Sequence, residues 1–166
     1  APLILIALGL SIGFKANIWN IGAEGQFIMG AIFSASIGLA FYPLEGWFIF
    51  PLMIVGGILG GSVWALIPAI LKSRFNTNEI LVSLMLVYIA EQALASASIG
   101  ILRNPDGSGF PGSRNLNQYA SSSNPELIVG SGIHWGVIFS FIAVWIFHYV
   151  LKNHKFGFQI KLFGDA

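Results

Sequence analysis

The residues with the most chemistry to offer are gathered in Asn17-Ile18-Trp19-Asn20-Ile21-Gly22-Ala23-Glu24-Gly25-Gln26. One carboxylate and three side-chain amides interrupt two apolar runs there. In hydrocarbon, irregular backbone is tolerated only where it is buried in protein or lines a wet cavity. Transporters tend to place their substrate path at such discontinuities. Asn17, Asn20, Glu24 and Gln26 are therefore candidates for a path, the alternative being an ordinary polar turn at the membrane surface. Glu91, with Gln92 beside it, lies near the middle of another apolar run. An ionisable group there is costly, and marks either a functional site or a protonated acid hydrogen-bonded inside a helix bundle.

Other chemistry is missing from the sequence. There is no Gly-x-x-x-x-Gly-Lys-[Ser/Thr] loop to cradle phosphates, so the chain is not expected to hydrolyse ATP itself. No Gly-x-Ser-x-Gly elbow and no His-Glu-x-x-His occur, so no catalytic residue is assigned. His134 and His148 fall near span ends without ligand spacing, so no metal or other cofactor is expected. The chain has no cysteine, which removes disulfides and thiolate sites. An ion-coupled carrier would want several intramembrane acids; only Glu91 qualifies, with Glu24 at the edge.

Composition sets the class that must position these groups. The chain is 55% hydrophobic and 9% charged, with mean hydropathy +0.78, whereas soluble domains carry about 25% charged residues. The excess apolar surface calls for a lipid bilayer. A net charge of +1 with few basic residues offers no nucleic-acid surface. The expected fold is all-α: a polytopic transmembrane helical bundle containing a discontinuous helix. The apolar run 2–14 is shorter than the roughly 20 residues that span a bilayer. The chain starts at Ala1 and stops at Gly164-Asp165-Ala166, and it reads as a fragment of a longer membrane protein.

Hydropathy places spans at 2–14 (truncated), 22–42, 46–71, 79–102 and 132–151, all in one domain. Asn20 is a plausible N-cap for the second, with Glu24 in its first turn. Gly30, Ser34 and Gly38 give that span a small-residue face. Gly56 with Gly60, and Gly57 with Gly61, form overlapping Gly-xxx-Gly pairs, which favour close helix contact in membranes. Pro68 is expected to loosen the last turns of its helix. Asn76 and Glu79 have capping-box spacing. Residues 103–131 form one long loop without helical period, rich in breakers from Asn104-Pro105-Asp106-Gly107 onward. Alternating topology places Lys15, Lys72, Arg74, Lys152, Lys155 and Lys161 on one side and only Arg103 and Arg114 on the other. By the positive-inside rule the first side is cytoplasmic.

Residues 152–166 begin a cytoplasmic segment in which Gly157 and Gly164 bracket a short amphipathic stretch. Phe156, Phe158, Ile160, Leu162 and Phe163 are too apolar for a solvated tail. They suit either a docking helix on another protein or an interfacial helix on lipid. A glycine-rich, nearly uncharged pore former fits a neutral or zwitterionic solute and an energy source in a partner. The competing reading is an ion-coupled secondary transporter acting without an ATPase, and a third is a membrane assembly protein.

At these residues a resemblance enters. Asn20-Ile21-Gly22-Ala23-Glu24-Gly25-Gln26 resembles the Asn-Ile-Gly-x-Glu-Gly-Gln signature of bacterial ABC-importer permeases of the branched-chain amino acid, ribose and nucleoside type. Asn78-Glu79-Ile80-Leu81-Val82-Ser83-Leu84-Met85-Leu86 is similar to a block of their nucleoside and simple-sugar members. Gly109-Phe110-Pro111 matches a spot in their outer loop. Gly157-Phe158-x-x-Lys161-x-x-Gly164 resembles the start of their coupling loop. The chain departs from the nucleoside group at Val87 and at Glu91-Gln92. The resemblance implies that Phe156, Gly157, Phe158, Lys161 and Gly164 belong to the surface coupled to the ATPase. It also implies an ATP-binding cassette ATPase, a second permease subunit and an extracytoplasmic solute-binding lipoprotein, in a bacterial inner membrane. Nucleosides or simple sugars are the solutes it suggests.

Overall fold

A computed structural model describes residues 1–104, 106–107, 112–124, 126–128 and 130–164, with residue 117 described by its backbone alone. In chain order the elements are α1 (Pro2–Lys15), α2 (Ala23–Ala40), α3 (Ile49–Phe75), α4 (Glu79–Ile99), a 3-10 turn (Leu116–Gln118), β1 (Glu126–Ile128), β2 (Ile133–His134), α5 (Gly136–Asn153) and α6 (Lys155–Gly164). The fold is all-α apart from the small β1–β2 hairpin. Four helices, α2 to α5, are long and apolar enough to cross a membrane. At 1.5 Å per residue α3 is roughly 40 Å long, more than the ~30 Å hydrocarbon core, so it tilts or projects. The chain divides into two compact units, residues 21–123 and residues 1–20 with 124–166.

In the first of these units α2 lies between α3 and α4. It runs antiparallel to α3 and parallel to α4. The α2–α3 seam is made by glycines, because only a bare backbone permits the approach. A Cβ built on Gly30 would stand 2.9 Å from the Gly57 carbonyl oxygen, and one on Gly61 3.2 Å from the Gln26 carbonyl oxygen. Ile32 packs with Ala97 of α4 and with Leu102 beyond it to form the buried cluster, flanked by Ile28, Met29, Leu39 and Ala93. Large apolar side chains point outward along the spans, such as Leu59 and Val63 on α3 and Met85 on α4. That is the inverse of a soluble helix and suits lipid or a partner helix.

In the other unit α1 and α5 are parallel. Gly136 at the start of α5 lies against Ala1, with 3.5 Å from a built Cβ to the Ala1 Cβ. At the opposite end Gly164 packs on the Lys15 carbonyl. Lys15, Lys152, Lys155 and Lys161 thus share one end of this unit, as the alternating topology requires. The hairpin pairs Glu126 with His134 and Ile128 with Ile133. Its turn takes left-handed Gly130 and Gly132, and the Gly130 N–H donates to Glu126 Oε2 at 2.7 Å.

Two helix-cap expectations differ from the structure. The N-cap of α2 is Gly22 rather than Asn20. The cap of α4 is Asn78, whose Oδ1 accepts from the N–H groups of Ile80 and Leu81. Asn76 closes α3 in the left-handed conformation instead. Pro68 does not end its helix: α3 runs through it to Phe75 with Pro68 buried. Pro removes one backbone donor, and a membrane bundle can absorb that where neighbouring helices cover the kink.

Candidate functional site

The polar interruption is Ala16–Gly22, and its chemistry follows from how each helix ends. The end of α1 is a Schellman arrangement. The Ile18 N–H donates to the Gly13 carbonyl at 2.9 Å and the Asn17 N–H to the Phe14 carbonyl at 3.1 Å. Asn17 occupies the left-handed position with φ of 56°, which asparagine tolerates better than other side chains. Its exposed Oδ1 accepts the Trp19 indole N–H at 3.4 Å, and Trp19 packs beside Phe14 with centroids 5.1 Å apart. Asn17 therefore shapes the turn as well as presenting an amide. Asn17→Gly is expected to leave stability within about 0.5 kcal/mol of wild type, whereas Asn17→Val should lose about 1–2 kcal/mol through left-handed strain. Thermal unfolding of the two variants in detergent checks this, and equal loss in both would contradict it.

In the other unit the break is tied to α4. The Ile21 N–H donates to Ser83 Oγ at 3.2 Å, and Ser83 Oγ donates to the Ile80 carbonyl at 3.1 Å. Ser83 is 2% exposed. A hydroxyl from a neighbouring helix thus satisfies a backbone donor that would otherwise be left bare at a helix start. Gly22 and Gly25 are buried there. A Cβ on Gly25 would stand 3.1 Å from Val87 Cα, 3.2 Å from the Leu86 carbonyl oxygen and 3.2 Å from Trp64 Nε1. The Trp64 Nε1 is buried and has no acceptor among the described residues. The start of α2 is therefore wedged backbone-to-backbone between α3 and α4.

This wedge fixes where the sequence candidates point. Glu24 lies in the first turn of α2 with its side chain exposed, and Gln26 is half-buried two residues on. Glu91 is exposed on α4, one turn beyond the Val87 that Gly25 touches. The side chains of Glu24, Gln26 and Glu91 make no hydrogen bond or ion pair among the described residues. They remain available to water, a solute or another subunit. Asn17 and Asn20 belong to the other unit, Asn17 exposed and Asn20 half-buried. Of the four seam glycines, Gly57 and Gly61 meet α2 backbone. Gly60 faces the Phe33 ring, 2.7 Å from a built Cβ to Cγ, and Gly56 the Ile37 side chain.

The segment after α5 is a helix. The Phe156 N–H donates to His154 Nδ1 at 3.2 Å, a side-chain start for α6. Gly157 and Ile160 are buried. Gly157 packs on the Leu151 backbone, 2.6 Å from a built Cβ to Leu151 Cα, and Gly164 on the Lys15 carbonyl. Phe156, Phe158, Lys161, Leu162 and Phe163 are exposed. An apolar face is thus presented outward by a helix held on small residues. Asp165 and Ala166 lie outside the described residues.

The long loop folds back on the α2–α3 turn. Ser121 Oγ accepts the Gly46 N–H at 3.0 Å. Arg114 pairs with Asp106 at 2.7 Å and stands 4.2 Å over the Tyr42 ring, which meets the Tyr119 ring edge-on at 4.7 Å. The hydrogen bond with Tyr119, with smaller help from the Asp106 charge, holds the Arg114 guanidinium above its ordinary range. Gly109, Phe110 and Pro111, the matched spot of this loop, lie outside the described residues, as does Pro105 of its opening turn. Among the described residues no three His, Asp or Glu side chains gather as metal ligands.

Sequence reasoning missed Ser83, Trp64 and His154. Ser83 and Trp64 meet the start of α2 from other helices, where no local pattern marks them, and His154 accepts from the N–H two residues on without being one of the preferred cap residues.

Comparison with known proteins places these features in a wider set. The family model for the permease component of branched-chain amino acid transport systems matches residues 1–166. A glucose ABC transporter permease protein of Haloferax volcanii is 29% identical over 99% of this chain and 45% of its own length. A guanosine ABC transporter permease protein of Bacillus subtilis is 28% identical over 98% of this chain and 46% of its own. A nucleoside ABC transporter permease protein of Lactococcus lactis subsp. cremoris is also 28% identical, over 98% and 46%. The chain thus spans a little under half the length of these relatives. No solved structure matches it significantly.

Proposed function

Because the chain belongs to the family of branched-chain amino acid transport system permease components, we propose that it forms part of the translocation path of an ATP-driven importer. Its solute is small and neutral, a nucleoside or a simple sugar. The single observation that carries this reading is the polar break at Ala16–Gly22, followed by α2 wedged between α3 and α4. Irregular backbone that carries side-chain amides and leads into a carboxylate has a place in a membrane only where protein buries it or beside water or a polar cargo. Relatives whose names say glucose, guanosine and nucleoside support the solute class.

The working assembly contains a second permease subunit, an ATP-binding cassette ATPase that hydrolyses ATP, and an extracytoplasmic solute-binding lipoprotein, in a bacterial inner membrane. α6 meets the ATPase with Phe156, Phe158 and Lys161, and Gly157 and Gly164 seat it. The loop end of the α2–α3 turn faces the lipoprotein. Affinity purification of the full-length protein from its own membranes tests the assembly. An ATP-binding cassette protein should copurify in stoichiometric amount. A protein that purifies alone and still carries out uptake would overturn the reading in favour of an ion-coupled carrier.

Asn17, Asn20, Glu24, Gln26 and Glu91 are assigned to the path on this reading. The most direct probe of them is Glu24→Gln, which keeps shape and removes charge. Uptake should fall by about tenfold, as loss of one charge-assisted hydrogen bond to a solute hydroxyl would give, while membrane insertion stays at the wild-type level. Normal uptake by Glu24→Gln would make the cluster structural.

A further inference from the structure

The turn between α2 and α3 and the loop segment Tyr119–Ser122 enclose an open notch with an empty volume of ≈ 320 Å³, part of it open to solvent. It is lined by Tyr42, Pro43, Leu44, Glu45, Tyr119, Ser121 and Ser122, with Gly38 and Ile49 as its floor. The space it encloses is about 30 Å³, room for one water-sized group rather than a whole solute. Its chemistry is uneven. Among the described residues of the lining Glu45 alone has a formal charge, and that carboxylate has no hydrogen bond or ion pair among them. The Tyr42 and Tyr119 rings, edge-on to each other, share the lining with it. Arg114, the nearby cation, is already committed to Asp106 and to the Tyr42 ring. An uncommitted carboxylate in a lining with hydroxyl oxygens is a receptor for a small cation.

The level of the notch in the membrane says where the cation comes from. Trp47 follows Glu45 by two residues and is 87% exposed. Tryptophan at the end of a span marks the headgroup region. Phe48 and Leu52, on the first turns of α3 below it, present exposed apolar surface of the kind acyl chains cover. We propose that this notch binds the ammonium headgroup of a phosphatidylethanolamine-type lipid. Glu45 is the counter-ion, the Tyr119, Ser121 and Ser122 side chains complete the seat, and the acyl chains lie along the start of α3. A primary ammonium carries three N–H donors, and the carboxylate and hydroxyl oxygens here are hydrogen-bond acceptors. The site therefore prefers ethanolamine to choline. This lipid site is independent of which solute is transported.

The test uses the full-length protein in nanodiscs of equimolar phosphatidylethanolamine, phosphatidylcholine and phosphatidylglycerol, with retained lipids identified by native mass spectrometry. The wild type should retain the ethanolamine lipid about fivefold over the other two, as one partly exposed ion pair whose N–H donors choline lacks would give. Glu45→Gln should bring retention close to equal without changing thermal stability, since the side chain is exposed. The comparison of ethanolamine with its N-methylated form probes the wild type itself, so it stands even where a variant misfolds. Equal retention of all three lipids by the wild type would overturn the proposal, and so would an undiminished preference in Glu45→Gln. A wild type indifferent to headgroup, together with Glu45→Lys losing the binding of a soluble extracytoplasmic protein, would overturn it in favour of a protein partner.

Discussion

Leucine at Gly60 is expected to drive α2 and α3 apart, and alanine at Gly30 to do so nearly as well. The first result follows from the Phe33 ring, 2.7 Å from a Cβ built on Gly60. The ring can turn away from a methyl group, but not from a leucine on a seam with no free volume. The second is sharper because the neighbour is backbone. A methyl at Gly30 meets the Gly57 carbonyl oxygen at 2.9 Å, closer than side-chain carbons ever come, and a helix carbonyl cannot rotate aside. Overpacking of this kind costs about 1–3 kcal/mol, and more for leucine. In a membrane that loss is not offset by a hydrophobic drive to keep the helices together. The control is Gly9→Ala, where a Cβ would meet nothing within 4 Å. In detergent, Gly30→Ala and Gly60→Leu should unfold at lower temperature than wild type, and Gly9→Ala should not. Equal stability of all three would remove the seam.

The other large effect concerns α6. A valine at Gly157 cannot be seated, since its Cβ would overlap the Leu151 backbone. The helix must then leave the end of α5, and the contact of Gly164 with the end of α1 goes with it. Insertion is unaffected because no span is altered. If α6 is where the ATPase acts, uptake should fall by at least ~tenfold, the effect of about 1.4 kcal/mol on an equilibrium between seated and displaced α6. ATP hydrolysis by the assembled complex should persist without driving uptake. Phe158→Ala tests the exposed side of the same helix, removing an apolar contact while leaving the seat intact. It should weaken ATPase binding rather than the fold. Full uptake by Gly157→Val would show that α6 carries no force.

How far these features were legible depends on the range of the interaction that makes them. The membrane class came from composition alone. Glycine spacing at Gly56, Gly57, Gly60 and Gly61 marked a close contact, but not its partner. The identity of α2 as that partner depends on Gly30 meeting Gly57 and Gln26 meeting Gly61 across the seam. The helix starts were harder. Asn20 looks like a cap, yet the nearby donor on Ile21 is satisfied by Ser83, sixty-two residues away. Asn76 and Asn78 are two residues apart, and each suits either job. Only the backbone decides that Asn76 turns left-handed and Asn78 caps. The long loop hides a 3-10 turn and a two-stranded hairpin, elements too short to leave a period. The seat of α6 is invisible in sequence because it is made by absent side chains against backbone of α1 and α5.

The measurement that bears most directly on the central claim is uptake into proteoliposomes. The full-length protein is reconstituted with its ATPase and second permease, and the solute-binding lipoprotein is supplied from outside with a labelled nucleoside or simple sugar. Accumulation is followed with and without ATP in the lumen and with ionophores that abolish proton and sodium gradients. The account predicts uptake that requires ATP and the lipoprotein and persists when the gradients are collapsed. Uptake that proceeds without ATP and stops with the gradients would contradict it.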